Sequence, residues 1–185
     1  MEIETKEFKV RDISYKIRSA SQLDAKQLSE VRVQIDGETE NLDREQGEAF
    51  IDVTGFEKLI EDDTLSVNNL FLVAEIEGRI VGFSRCEGNG LKRFAHKVEF
   101  GVCVLKEYWG LSIGTNFLKE SIAWADAGSI KKISLNVLHT NEKAITLYKK
   151  YGFEVEGILK NDKILKDGKY YHTVVMGRSY ISNKI

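Results

Sequence analysis

The sequence predicts an α/β fold in which a mixed, partly antiparallel twisted sheet is flanked by helices. Three observations carry that prediction. Apolar residues alternate over 13–18 and 98–104, as successive side chains of a strand point to opposite faces, and 70–76 and 79–85 read as a further pair of strands. In the stretches between, apolar residues recur at helical spacing. From residue 98 onward strand and helix patterns take turns, which calls for parallel pairing in that region and antiparallel pairing before it.

Taken in order, residues 13–18 (Ile-Ser-Tyr-Lys-Ile-Arg) read as a first strand. Ser21 with Asp24 makes a capping box ahead of Ala25, Leu28, Val31 and Ile35, a first helix. Thr54 with Glu57 makes a second box, ahead of a helix carrying Phe56, Leu59 and Ile60. Strands 70–76 and 79–85 join through Glu77-Gly78 as a hairpin. Strand 98–104, helix 112–127, strand 132–138 and helix 141–151 follow, with further strands near 153–160 and 171–180. The chain has no proline, no repeat and no low-complexity tract, so residues 1–185 are expected to form one domain.

Composition excludes several classes of function. At 185 residues the chain is long enough for a substantial core. A net charge of −2 leaves no nucleic-acid footprint. No run of 18 apolar residues appears, so no membrane span is expected, and Met1-Glu2-Ile3-Glu4 is too charged for a signal peptide. Two cysteines, Cys86 and Cys103, without Cys-x-x-Cys spacing fit a cytoplasmic protein. His96, His139 and His172 are isolated in sequence, so no metal site is expected.

The chemistry concentrates between Val98 and Phe153. From 98 to 104 the branched and aromatic residues fall on even positions, and Glu99, Gly101 and Cys103 alternate with them. Gly110 and Gly114 bracket a tight turn, after which Phe117, Leu118, Ile122 and Ala125 mark a helix. A strand, a glycine turn and a helix start gather free backbone N–H groups at the positive end of a helix dipole, an arrangement that binds phosphate or pyrophosphate. An ordinary strand-to-helix connection would use the same glycines. There is neither a Gly-x-Gly-x-x-Gly nor a Gly-Lys-Ser/Thr, so the dinucleotide and nucleoside-triphosphate loops are set aside. Further on, Asn141 stands at a helix N-cap, Ala144, Leu147, Tyr148 and Tyr151 form one stripe, and Gly152 stops the helix.

These two linked patterns resemble the GNAT superfamily of N-acetyltransferases, which move an acetyl group from acetyl-CoA to an amine. The resemblance covers roughly residues 13 to 180 and is strongest over 98 to 157. Against the family's Gln/Arg-x-x-Gly-x-Gly/Ala turn, Trp109 replaces the Gln/Arg and Ser112 the first glycine, while Gly114 fits. The resemblance implies a GNAT-type sheet and a coenzyme site built from Val102, Cys103, Val104, Trp109, Gly110, Leu111, Ser112, Ile113, Gly114, Thr115, Asn141 and Tyr148. In it the backbone of 102–104 would pair with pantetheine amides and offer an N–H to the oxyanion.

A lysine-like amine acceptor titrates at about 10.4, so it is protonated near neutral pH and needs a base before it can attack. Glu99 is the candidate, on the strand face opposite the apolar set and near where the family often places a glutamate; the alternative is a charge that merely faces solvent. Tyr148 occupies the position of the family's general acid, although a tyrosine on an apolar stripe is by itself a core residue. Asn141 can cap its helix and also touch the cofactor. Cys103 could carry an acetyl group in a ping-pong scheme, but it has no evident base partner, and a packed thiol is the better reading.

The acceptor is expected to be a small amine, such as a polyamine, amino acid or antibiotic, or a protein N-terminus. Between Asp36 and Glu48 six acids (36, 38, 40, 43, 45, 48) stand against Arg44. They read as a solvated helix face or loop, with attraction of a cationic amine as the sharper alternative. A homodimer paired through the last strand is one expected assembly. The competing functional class is a catalytically silent coenzyme-A-binding module.

Overall fold

A strand flanked on both sides by other strands and apolar on both faces needs helices above and below it, and Leu70–Ile76 is that strand. Leu70, Leu72 and Ala74 join a core shared with Phe117 and Trp124, whereas Phe71 and Val73 join Leu28, Phe56 and Ile60. The computed structural model describes residues 2–180. Its strands are β1 (Lys6–Val10), β2 (Ile13–Ser19), β3 (Leu70–Ile76), β4 (Arg79–Gly88), β5 (Lys97–Val104), β6 (Lys132–Leu138), β7 (Glu154–Ile164) and β8 (Tyr170–Ser179). The helices are α1 (Ala25–Glu38), α2 (Val53–Leu65), α3 (Ile113–Ala127) and α4 (Glu142–Lys150). Among the described residues no helix is long and apolar enough to cross a membrane.

All eight strands form one sheet in the order β1-β2-β3-β4-β5-β6-β8-β7. Every neighbouring pair is antiparallel except β5 and β6, which α3 connects in parallel. The expected mixed α/β sheet with flanking helices is therefore what the chain adopts. Two details differ. A short edge strand, β1, precedes the expected first strand, because Phe8 stacks on Tyr15 across the pair at 5.3 Å and gives a charged stretch something to bury. Asp52 rather than Thr54 caps α2, its carboxylate accepting from the Gly55 N–H at 2.8 Å, so Thr54 lies inside the first turn.

The parallel pair is short. Partners are Lys97 with Lys132, Val98 with Ile133 and Glu99 with Ser134. Beyond them β5 stays paired to β4 as far as Val104, and β6 stays paired to β8 as far as Leu138, so the two strands part and leave a wedge. The last strand offers no open edge to a second copy over Thr173–Gly177, because β6 and β7 flank it there. The sheet's open edges belong to β1 and β7.

The start of α1 is tied to the sheet by charge. Arg18 forks Asp24 at 2.7 and 2.8 Å and also reaches Glu75 on β3 at 2.9 Å. The Ser21 N–H donates to the same Asp24 carboxylate at 2.8 Å, which completes the capping box. Burial pushes the Asp24 carboxyl up, but Arg18 and Ser21 together hold it below the usual aspartate value. A carboxylate with a depressed folded pKa stabilises above its unfolded value and loses that contribution as pH falls through the folded one. Asp24→Asn should therefore lower the unfolding free energy by about 2–3 kcal/mol at pH 7 in urea titrations. The deficit should shrink as pH falls below about 4, where the wild-type carboxylate is itself protonated.

Candidate active site

The wedge exposes main chain. Leu105 N–H donates to Val81 C=O at 2.9 Å, and main-chain groups alternate sides along a strand. The odd residues of 99–105 thus face β4, while Phe100, Val102 and Val104 direct theirs toward the wedge. Two bonds agree with this. Ser134 Oγ meets Val98 C=O at 3.3 Å, and Trp109 Nε1 donates to Val104 C=O at 2.8 Å. The indole at 109 therefore fastens the following turn to the end of β5.

In that turn Gly110 has φ +85° and Ser112 φ +60°, both in the left-handed region. This explains why a glycine suits position 112, where serine carries a cost of about 1–2 kcal/mol. Asn116 N–H closes the first turn of α3 on Ser112 C=O at 2.9 Å, which leaves the N–H groups of Ile113, Gly114 and Thr115 without helical acceptors. Leu111 faces inward and is buried, its C=O accepting from the Tyr15 hydroxyl at 3.1 Å. Asn116 Nδ2 donates to that same hydroxyl at 2.7 Å. A Cβ built on Gly114 meets nothing within 4 Å, and its φ is ordinary, so neither packing nor backbone conformation demands glycine there. The open space beside it is the cradle that a bound anion would fill.

On the far side of the wedge Asn141 caps α4, its Oδ1 accepting from Ala144 N–H at 3.3 Å. Tyr148 lies two turns along, buried with its ring 5.8 Å from Phe153. Burial pushes its hydroxyl up to about 12, with a smaller push from Cys103. Glu99 is exposed and accepts from Asn136 Nδ2 at 3.3 Å. One cavity of about 710 Å³ brings together Glu99, Val102, Cys103, Val104, Tyr148, Asn141 and the turn 109–115, with Leu111 alone of the expected coenzyme residues turned away. Burial pushes the Cys103 thiol up to about 12 as well, so it stays a thiol at neutral pH.

The other half of the cavity was not legible as a site. Arg32, Arg44 and Arg85 line it together with Phe56, Phe71 and Phe83. The only sequence signal was Arg32 itself, a charge set among the apolar positions of α1 between Leu28 and Ile35. The acidic segment, by contrast, is bound up in structural contacts. Asp36 is buried and forked by Arg44, Glu38 accepts from Lys106 N–H at 2.7 Å, Glu40 from Lys166 N–H at 2.8 Å, and Asp43 pairs with Lys163. These carboxylates strap residues 36–43 across the cavity edge, a third outcome beside the solvated face and the cation attractor.

Comparisons with known proteins bear on the family and the fold. Residues 38–153 match the acetyltransferase (GNAT) family. The chain is 34% identical over 108 residues to the L-amino acid N-acetyltransferase AaaT of Escherichia coli K12, a span covering 58% of this chain and 66% of that protein. The match thus spans slightly less than two thirds of the relative's length. A crystal structure of a GNAT-family acetyltransferase from Streptococcus pneumoniae superimposes with a TM-score of 0.87 at 27% identity, covering 90% of this chain and 99% of that one. The yncA acetyltransferase of Salmonella typhimurium, solved with its cofactor acetyl-CoA, shares the fold at a TM-score of 0.80 and 19% identity over 92% of this chain and 96% of that one.

Gly114→Leu separates a cradle from a mere connection, since the family's turn admits alanine at this position. Unfolding free energy should stay within about 1 kcal/mol of the wild type, since leucine is a good helix former. Coenzyme A affinity by calorimetry should fall by about tenfold or more, as the added side chain occupies the anion's space.

Proposed function

The chain belongs to the acetyltransferase (GNAT) family, and from that we propose that it transfers the acetyl group of acetyl-CoA to a primary amine by direct attack in a ternary complex. The observation that carries the reading is the wedge. An unpaired stretch of β5 main chain at Val102 and Val104 leads directly into the free N–H groups at the start of α3, along one cavity. A thioester carried on a pantetheine arm with a diphosphate at its far end needs those two features in that order.

Acetyl-CoA supplies the activated acyl group and a thiolate leaving group. The N–H groups of Ile113, Gly114 and Thr115, with the Thr115 hydroxyl beside them, would hold its diphosphate at the positive end of the α3 dipole. The main chain of Val102 and Val104 would pair with the amides of the arm. An N–H there would also face the carbonyl oxygen on which negative charge develops, where a fixed donor is worth most.

Two side chains move protons in this reading. Glu99, held by Asn136 and open to solvent, accepts the proton that an amine acceptor carries near neutral pH, directly or through water. Tyr148 donates to the departing thiolate; a hydroxyl raised to about 12 remains protonated across the working pH range and so keeps a proton to give. Cys103 takes no part as a nucleophile. Its thiol sits too far above neutral pH to supply thiolate, which supports direct transfer over an acetyl-cysteine.

Thiol release from acetyl-CoA with a panel of amines tests the activity, and coenzyme binding without turnover across that panel would leave a silent binding module. Tyr148→Phe should lower kcat by about a hundredfold or more with coenzyme A affinity retained, and undiminished kcat would remove its role. Glu99→Gln should lower kcat most at low pH, where the acceptor is fully protonated. A wild-type pH–rate profile in that variant would exclude Glu99 as the base.

A further inference from the structure

Of the three arginines in the acceptor half of the cavity, Arg32 alone among the described residues has no carboxylate within ion-pair distance. Arg44 forks the buried Asp36 at 3.0 and 3.1 Å. Arg85 forks the equally buried Asp63 and also reaches Glu87 at 3.0 Å. Arg32 is only 8% exposed, and its Nη1 donates to Ala49 C=O at 2.7 Å. Among the described residues it makes no ion pair, although it lines the same cavity. Burying a cation without an ion-paired anion is costly; Arg44 beside it adds repulsion, which Asp36, already forked by Arg44, offsets only in part. An anionic ligand would relieve both.

The place of that cation narrows the ligand. Arg32 and Arg44 lie near enough to Cys103 for their charges to act on its thiol. Cys103 stands between Val102 and Val104, whose N–H groups face the wedge, and strand residues are about 3.3 Å apart. Arg32 lines one cavity with Val102, Val104, Glu99 and Tyr148, so an anionic group held by it shares the space of the acyl transfer, which suits an amine and an acid on one carbon. The neighbouring wall is aromatic, with Phe71 and Phe83 at 6.0 Å between ring centroids.

We infer that Arg32 determines acceptor specificity by binding the carboxylate of a free α-amino acid whose apolar side chain lies against Phe71 and Phe83. The inference rests on the acetyl-transfer reading above and narrows its acceptor. A polyamine would bring a second ammonium toward Arg32, and a protein N-terminus would offer a neutral amide where the carboxylate belongs.

The test measures thiol release from acetyl-CoA with L-leucine, L-leucinamide and spermidine. Wild type should prefer leucine to leucinamide by at least about tenfold in kcat/KM, the range of a charged hydrogen bond. The amide holds more of its amine unprotonated, so chemistry alone favours it. In Arg32→Gln that ratio should collapse toward one, and in Arg32→Lys part of it should return. A merely structural role would lower both substrates alike, leave the ratio in place and overturn the inference. Inhibition of the wild type needs no variant: isocaproate should compete with leucine and isocaproamide should not, and the reverse overturns the proposal. Turnover of spermidine or leucinamide in preference to leucine sinks the inference and leaves acetyl transfer standing. No thiol release with any acceptor, together with no coenzyme A binding by calorimetry, removes both.

Discussion

Two parallel strands that share three residue pairs and then separate leave main-chain donors and acceptors without partners, and much of the molecule serves to hold that separation open. Each strand is fastened on its outer side, β5 to β4 and β6 to β8, and each follows that antiparallel partner past the point where the two separate. Trp109 binds the last free carbonyl of β5, and the Tyr15 hydroxyl holds the turn from below through Leu111. The N–H groups of Val102 and Val104 stay available for a ligand because their neighbours in the sheet are already committed.

The same logic governs charge. Asp24, Asp36 and Asp63 are all buried, and each is forked by an arginine, 6, 8 and 22 residues away respectively. Removing one partner of such a pair leaves an uncompensated charge, so these forks fix the relative positions of α1, α2 and the sheet more than they add net stability. The acids after α1 reach Lys106 at the end of β5 and Lys163 and Lys166 on the β7–β8 hairpin. They therefore close one side of the cavity. With its acids engaged in this way, the strap stands beside a cavity wall formed by Arg32 and the phenylalanines.

Glu99 and Tyr148 illustrate why two side chains with similar sequence signals behave differently. Glu99 lies on the solvent side of a strand and keeps one neutral partner, Asn136. Tyr148 lies on the inward stripe of α4, where burial raises its hydroxyl and keeps it protonated. Alternation on a strand and the stripe on a helix are enough to assign those faces. They say nothing about the two side chains meeting in one cavity.

Strand alternation, the Ser21–Asp24 box, the Asn141 cap and the glycine turn were legible in the sequence because each depends on residues within a few positions of one another. That local information determined the α/β class, the order of elements from Ile13 onward and the side of the cavity formed by the glycine turn, Asn141 and Tyr148. Tertiary structure alone decided the parting of β5 and β6, the Tyr15–Leu111–Asn116 anchor, the partners of the acidic segment and the place of Arg32 in the cavity. Each of these joins groups far apart along the chain: Tyr15 and Asn116 meet across 101 residues. Which polar group finds which partner at such a separation depends on how the helices and sheet pack, and no local pattern encodes it.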